Sequence, residues 1–260
     1  MKLSFCTNVY PLEKIPEACL MLKELGYDGM ELWHQYVVSK SIEQVKAETV
    51  GIGLEITQLC PYFNVTGTTE QLEESYAIAR GYIGYAKELD CKLIRVFTGG
   101  VSAADATEEQ FRQGVLGLRT ICDMAPHLTF VLEMHHGSLM ETVEGTLKLL
   151  DAVGRDNLRL NLQVPLPDAT KDVYQCAAEL GKYTVHLHAH NWIGDPAAHD
   201  FVCLGEGCYD FPRFLSILRE HGFDGAVSIE HANHLKGDNP DEVAAKEAVY
   251  LKNLFKELEA

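Results

Sequence analysis

The sequence alternates short apolar segments with longer amphipathic segments, and it does so eight times. The short segments have the length of β-strands and comprise residues 3–7, 29–33, 54–59, 93–98, 129–134, 158–163, 184–189 and 226–230. The amphipathic segments predict helices near residues 14–25, 41–50, 70–88, 108–124, 141–153, 170–181, 210–221 and 241–258. Strand–helix alternation of this period favours a parallel sheet, and eight units favour its closure into a barrel. We therefore predict an α/β fold, a single (β/α)8 TIM barrel over residues 1–260.

The rival fold is a doubly wound open sheet. Such folds commonly carry a glycine-rich phosphate loop after the first strand. Here residues 6–11 read CTNVYP and contain no glycine. The barrel is accordingly the better interpretation of the pattern.

Charge and cysteine usage restrict the partners and the compartment. Twenty-two basic against 38 acidic residues give a formal net charge of −16, which repels phosphate backbones and argues against nucleic acid. The eight cysteines form no C-x-x-C pair and are typical of reduced thiols. The sequence shows neither a signal peptide nor an apolar run long enough to span a bilayer. We expect a cytoplasmic protein that does not bind membranes.

Strands five to eight each bring a polar residue to the inner face near the C-terminal end: Glu133, Gln163, His188 and Glu230. Alternate side chains of a barrel strand point inward, and barrel active sites form at the C-terminal end of the strands. Two carboxylates, an imidazole and an amide oxygen are suited to Mn²⁺, Mg²⁺, Co²⁺ or Zn²⁺. The pattern predicts a site for one divalent cation.

A structural interpretation of inward polar residues is also open. An inward Glu can be part of a buried ion pair, and an inward His is often a hydrogen-bonded core residue. Glu31 and Glu55, on strands two and three, are expected to pair with Arg95 in this way. The predicted ligands have only Arg159 as an obvious cationic neighbour, and unpaired buried charge is costly. This favours the metal site.

Five segments together make the chain resemble the xylose-isomerase-like TIM barrel superfamily, in the branch of sugar-phosphate isomerases and epimerases. They are residues 26–32 (GYDGMEL), 132–137 (LEMHHG), 186–191 (HLHAHN), 204–211 (LGEGCYDF) and 222–230 (GFDGAVSIE). Their order and spacing extend over almost the whole chain. They are specific for the superfamily, but they do not specify a substrate.

The resemblance implies a metal held by Glu, Asp, His and Glu from strands five to eight. Glu133, His188 and Glu230 match this set, whereas Gln163 stands where the family usually has Asp. A glutamine carbonyl can bind a hard cation but brings no charge. We expect Mn²⁺ as the cofactor, with an affinity or metal preference altered by Gln163. An altered chemistry or the loss of metal binding remain alternatives.

The resemblance also implies an enzyme of carbohydrate metabolism, an isomerase or epimerase of sugars, sugar phosphates or polyols. Such enzymes remove the proton α to a carbonyl and proceed through an ene-diolate, with Glu133 and Glu230 as the acid/base pair. A lyase on the same scaffold, of the inosose dehydratase or 3-oxo-glycoside eliminase type, is the alternative. A metal-free sugar-binding subunit is a third possibility.

The remaining predictions concern the substrate and the assembly. We expect a small sugar or polyol substrate and a homo-oligomer, with a second, different subunit as a further possibility. The predicted substrate-binding residues lie at the C-terminal rim and are Trp33, His135, His190, Asn191 and His199.

Overall fold

The computed structural model describes residues 1–164, 172–194, 200–230 and 239–259. The strands are Lys2–Phe5 (β1), Gly29–Trp33 (β2), Glu55–Cys60 (β3), Leu93–Val96 (β4), Thr129–Glu133 (β5), Leu158–Gln163 (β6), Thr184–Ala189 (β7), Asn191–Ile193 (β8), Asp200–Val202 (β9) and Ala226–Ile229 (β10). Eight of them form one parallel sheet in the order β1-β10-β7-β6-β5-β4-β3-β2. A parallel bridge between Cys6 and Glu31 brings the two ends of this sheet together. The nearly closed barrel confirms the predicted fold.

The helices surround the barrel, as expected for this fold. They are Ile15–Glu24 (α1), His34–Ser39 (α2), Ile42–Glu48 (α3), Thr69–Glu88 (α4), Glu108–Met124 (α5), Val143–Val153 (α6), Val173–Leu180 (α7), Phe211–Glu220 (α8) and Pro240–Glu259 (α9). All eight predicted helices are present, and α2 is an addition that directly follows β2 on the C-terminal rim. Over the described ranges, no helix has both the length and the apolar character that crossing a membrane requires.

Strand β6 illustrates how the barrel separates apolar from polar side chains. Leu158, Leu160 and Leu162 are buried in the hydrophobic core, and each leucine buried in this way contributes roughly 1.5–3 kcal/mol. Asn161 and Gln163, at the positions between and after them, contact a histidine of β7 instead. The two-residue period predicted from the sequence therefore places the apolar and the polar side chains on opposite faces of the sheet.

Two irregularities in strand pairing set which polar side chains are neighbours. The register shifts once within the β2–β3 pair, so that Glu31 lies beside Gln58. It shifts again within the β6–β7 pair, so that Gln163 lies beside His188. A one-residue shift of this kind changes which side chains lie next to each other on the inner face.

The segment that follows β7 is fixed to the rim by a network of hydrogen bonds. Strands β8 and β9 form a small antiparallel ribbon. The Asn191 amide donates to the backbone oxygens of Leu204 (2.8 Å) and Tyr209 (3.0 Å). Gly207 packs so closely on this amide that a Cβ would lie 1.9 Å from Asn191 Cγ. On the other side, the Glu247 carboxylate of α9 accepts from the Leu204 N–H at 2.7 Å.

Glu247 makes the stability of the fold sensitive to pH. Burial raises the pKa of its carboxyl to about 7, so the folded chain binds a proton that the unfolded chain has already released. Folding stability from this group is present below the ordinary glutamate pKa and is lost as the pH rises through about 7. Glu247→Gln should therefore raise the melting temperature relative to the wild type more at pH 8 than at pH 5.5, with a differential of about 2 kcal/mol at most.

Thermal unfolding at the two pH values measures this difference, at roughly 2–4 °C per kcal/mol for a chain of this size. Glu257→Gln, at an exposed position of the same helix, is the matched control and should not show the differential. The same shift at both pH values for Glu247→Gln would contradict the assignment.

Candidate metal centre

Three predicted ligands converge inside the C-terminal end of the barrel. Glu133 ends β5, His188 lies in β7 and Glu230 follows β10, and all three are buried. They offer ligand atoms that all lie within 4.8 Å of one another. His188 Nδ1 is 3.2 Å from Glu230 Oε2 and 4.0 Å from Glu133 Oε2.

The fourth predicted ligand joins the same cluster. Gln163 Oε1 lies 3.1 Å from His188 Nδ1, because the shifted register pairs Gln163 directly with His188. The four residues selected from strand parity are thus brought together around one imidazole nitrogen. Their role as metal ligands stays a prediction.

Arg95 is the cation that accompanies these carboxylates. Its Nη1 donates to Glu133 Oε2 at 2.8 Å, its Nη2 donates to the backbone oxygen of Cys60 at 3.1 Å, and its side chain is almost fully buried. The expected pairing of Arg95 with Glu31 and Glu55 is wrong. Glu55 begins β3 at the opposite, N-terminal end of the barrel, where it is exposed and forms an ion pair with Lys2.

Glu31 instead lies behind His188, on the side away from the predicted ligands. Its Oε1 is 3.0 Å from His186 Nε2, and its Oε2 is 3.0 Å from His188 Nε2. The Gln58 amide (2.9 Å) and the Cys60 thiol (3.2 Å) also donate to Oε2. Glu31 lies on the inner face, as expected from the sequence, but its partners across the barrel were not predicted.

The electrostatics of the cluster favour a cation. Burial alone lowers the pKa of His188, but Glu230, Glu31 and Glu133 surround the ring and hold its pKa well above the usual value. For Glu31, burial raises the pKa, yet His188 and His186 outweigh it and hold that pKa well below the usual range.

The donor set around Nδ1 fits a divalent cation. It combines two carboxylates, an imidazole nitrogen and an amide oxygen, which suits a hard-to-borderline ion. Burial of Glu133 and Glu230 together is costly unless positive charge accompanies them. Arg95 supplies one such charge, and a cation bound at Nδ1 would take the place of the proton that His188 otherwise holds.

Of the predicted substrate-binding residues, two histidines lie near the cluster or the rim above it. His190 is buried, with its Nδ1 3.8 Å from Glu230 Oε2 and its ring edge-on to Phe201 at 5.0 Å. His135 is exposed just after β5, and its Nδ1–H donates to the backbone oxygen of His136 at 2.8 Å. Both remain predictions as substrate contacts.

The other three predicted contacts are placed differently. Trp33 ends β2 and donates from Nε1 to the Tyr62 hydroxyl at 3.3 Å. Asn191 uses its amide within the ribbon network described above, where it holds the backbone of residues 204 and 209. His199 lies outside the described residues.

An aromatic wall that was not predicted stands beside Arg95. Tyr62 and Phe97 stack in parallel with ring centres 5.8 Å apart. The Arg95 guanidinium carbon lies 4.7 Å from the centre of the Tyr62 ring and 4.8 Å from that of Phe97. Contacts of this kind stabilise a buried guanidinium. The sequence signal was weak, because Tyr62 follows β3 in a segment without regular structure.

Comparison with known proteins identifies the family. The model of the xylose isomerase-like TIM barrel family matches residues 20–254. The chain belongs to this family. A curated relative, a 3-dehydroshikimate dehydratase of Bacillus anthracis, is 26% identical over 266 residues, which cover 90% of this chain and 92% of the relative.

Solved structures share the fold over nearly the full length of the chain. The probable 3-DHS dehydratase of petrobactin synthesis from Bacillus anthracis has a TM-score of 0.79 at 22% identity, covering 97% of this chain and 99% of that chain. An L-ribulose 3-epimerase has a TM-score of 0.81 at 15% identity, with coverage of 99% and 95%. The IolI protein with a bound zinc atom has a TM-score of 0.77 at 22% identity, with coverage of 99% and 98%.

The similar proteins thus include a dehydratase and an epimerase, both enzymes. One of the solved structures contains a zinc atom.

Gln163, the uncharged predicted ligand on β6, allows a test of whether the cluster binds a metal ion. Gln163→Glu keeps the length of the side chain and adds a negative charge beside His188 Nδ1, so it should tighten Mn²⁺ binding about tenfold, equivalent to about 1.4 kcal/mol. Isothermal titration of the metal-free protein measures the affinity. Gln35→Glu adds the same charge at an exposed position of α2 and should leave the affinity nearly unchanged. Equal affinities for all three proteins would remove Gln163 from the ligand set.

Proposed function

We propose that this chain is a divalent-metal-dependent lyase that dehydrates a small polyhydroxylated ketone. The observation that carries the proposal is the convergence of Glu133, Gln163 and Glu230 on His188 Nδ1 inside the barrel. The dehydratase relative, which matches this chain over nine-tenths of its length, supports elimination as the outcome. Mn²⁺ is the metal we expect, because the donor set mixes hard oxygens with one imidazole.

When bound, a divalent ion would polarise the substrate carbonyl and a neighbouring hydroxyl, which lowers the cost of removing the adjacent proton. We assign the removal of that proton to Glu230. Arg95 already holds one oxygen of Glu133 at 2.8 Å, which fixes that carboxylate as an anchor for the cation. Glu230 Oε2 faces both His188 and His190, so its carboxylate is oriented from two sides.

Elimination then needs a proton for the leaving hydroxyl. As the α proton passes to Glu230, the C–H electron pair forms the new carbon–carbon double bond. The bond from the β carbon to its hydroxyl breaks, and the hydroxyl leaves as water. His135, exposed on the rim after β5, is the residue we assign to protonate it, since a histidine can act as a general acid near neutral pH.

A sugar isomerase or epimerase is the second candidate. It shares the first step, and the presence of two carboxylates in one cluster favours it, because Glu133 can return a proton where Glu230 removed one. The distinction lies in the product. Elimination loses water and gives a conjugated product, whereas epimerisation and isomerisation conserve composition.

Product analysis in deuterated water separates the candidates. The Mn²⁺-loaded protein is incubated with 3-dehydroshikimate, an inosose and a set of ketoses, and the mixtures are followed by proton NMR and ultraviolet absorbance. We expect loss of water and new absorbance from a cyclic ketone. Deuterium incorporation at the α carbon with unchanged composition would support the second candidate instead. Neither reaction, together with no bound metal, would favour a non-catalytic binding protein.

The assignment of the base gives a mutational test. Glu230→Gln should lower kcat by about 10²- to 10⁴-fold, the usual contribution of a general base. The assay is run at saturating Mn²⁺ with the metal content measured for each sample. Glu206→Gln, at an exposed position of the rim, should retain activity. Full kcat for Glu230→Gln with a normal metal content would exclude Glu230 as the base.

A further inference from the structure

Glu31 contacts the predicted metal ligand His188 from behind. The carboxylate is completely buried, and its two oxygens are 3.0 Å from His186 Nε2 and from His188 Nε2. We propose that Glu31 is a positioning residue: it holds the hydrogen of His188 on Nε2 and thereby presents the Nδ1 lone pair to the cation. The inference rests on the metal centre proposed above and adds to it the residue that orients its histidine.

The two nitrogens of the His188 ring face different sets of oxygen atoms. Nδ1 faces the oxygens of Gln163, Glu230 and Glu133. Nε2 faces the Glu31 carboxylate, which can only accept a hydrogen bond. A metal-bound imidazole is neutral and has one N–H, and the acceptor at Nε2 holds that hydrogen there. A carboxylate behind a metal-bound histidine also makes the ring a more basic ligand.

In the structure the Asn161 amide directs its NH2 group at His188 Nε2, so this tautomer requires the exchange of its two amide atoms. Its Nδ2 lies 2.9 Å from that nitrogen. Its Oδ1 is buried without a hydrogen-bond partner among the described residues. The rotamer that exchanges the two amide atoms turns Oδ1 towards Nε2, so that the Nε2–H has two acceptors and the amide oxygen gains a partner.

Glu31 is held rigidly enough to orient the ring. Besides the two histidines, the Gln58 amide donates to Oε2 at 2.9 Å and the Cys60 thiol donates to it at 3.2 Å. Oε2 therefore has two donors on the neighbouring strand β3, and Oε1 is held by the His186 ring of β7. Because its oxygens are held by these other partners, the carboxylate fixes the orientation of the His188 ring.

The same three residues, Glu31, His186 and His188, also have the spacing of a cation site. A cation there would have to displace the hydrogens on both Nε2 atoms in a region that is fully buried. Glu31 Oε2 already accepts hydrogen bonds from Gln58 and Cys60, which compete with a cation for its lone pairs. The hydrogen-bonded arrangement therefore explains the contacts better, and the metal stoichiometry distinguishes the two.

The test compares Glu31→Gln with Glu55→Gln, the same substitution at the exposed start of β3. Isothermal titration with Mn²⁺ gives affinity and stoichiometry for each protein and for the wild type. We expect one equivalent per chain in the wild type and the control, and an affinity 10- to 100-fold weaker in Glu31→Gln, the usual effect of losing such a partner. Thermal unfolding establishes that each variant is folded.

A second measurement does not depend on the variant. In the zinc-loaded wild type, two-bond proton–nitrogen correlations of ¹⁵N-labelled histidine report which ring nitrogen carries the hydrogen. We expect His188 with its hydrogen on Nε2. A hydrogen on Nδ1 would overturn the proposal, whether or not Glu31→Gln folds.

The other outcomes are equally distinct. Wild-type affinity in a folded Glu31→Gln protein would refute the positioning role while leaving the metal centre intact. Two equivalents in the wild type that fall to one in Glu31→Gln would mean that Glu31 holds a cation of its own. A wild type that binds no metal would defeat both this inference and the proposed function.

Discussion

The imidazole of His188 lies between buried carboxylates on both of its sides. The charge balance and the candidate metal site inside the barrel depend on this ring. Glu31 lies on one side of the ring, and Glu230 and Glu133 lie on the other. Buried carboxylates are tolerated only where hydrogen bonds and positive charge accompany them. Arg95 supplies one positive charge, and the Nδ1 side of the ring is where a metal ion would supply more.

The barrel makes this arrangement possible because each strand holds its inward side chains at a fixed position along the barrel axis. Closure of eight parallel strands brings residues far apart in sequence, such as Glu31 and His188, within hydrogen-bond distance. The helices bury the outward leucines, valines and isoleucines, which provide the hydrophobic stabilisation. That stabilisation offsets the cost of a polar interior, since area buried against the helices is large.

Much of the fold and part of the candidate site follow from the sequence. The two-residue period of β6 and β7 gave the inward positions, and Gly29–Trp33, Leu158–Gln163 and Thr184–Ala189 have the predicted bounds. Parity specifies the face of a residue, but it specifies neither its height in the barrel nor its partner across it. For this reason Glu55, at the start of its strand, was wrongly expected to reach Arg95.

Partners across the barrel required the structure. The shifted register of β2 and β3 brings Gln58 to Glu31, and no feature of the local sequence indicates that shift. Asn191 illustrates a similar limit. Its role as a substrate contact stays a prediction, and the sequence did not indicate that its amide bonds to the backbone of the loop after the ribbon.

The hydrogen bond from Trp33 to Tyr62 places a fluorescent indole at the rim, where its emission can report binding. The chain has two tryptophans: Trp192 is a buried residue of β8 in the ribbon, whereas Trp33 is half-buried at the end of β2. Tyr62 in turn stacks on Phe97 and covers Arg95. A molecule that settles against this aromatic wall therefore changes the surroundings of one indole much more than those of the other. A chain with phenylalanine in place of Trp192 would carry a single tryptophan, at the mouth of the barrel.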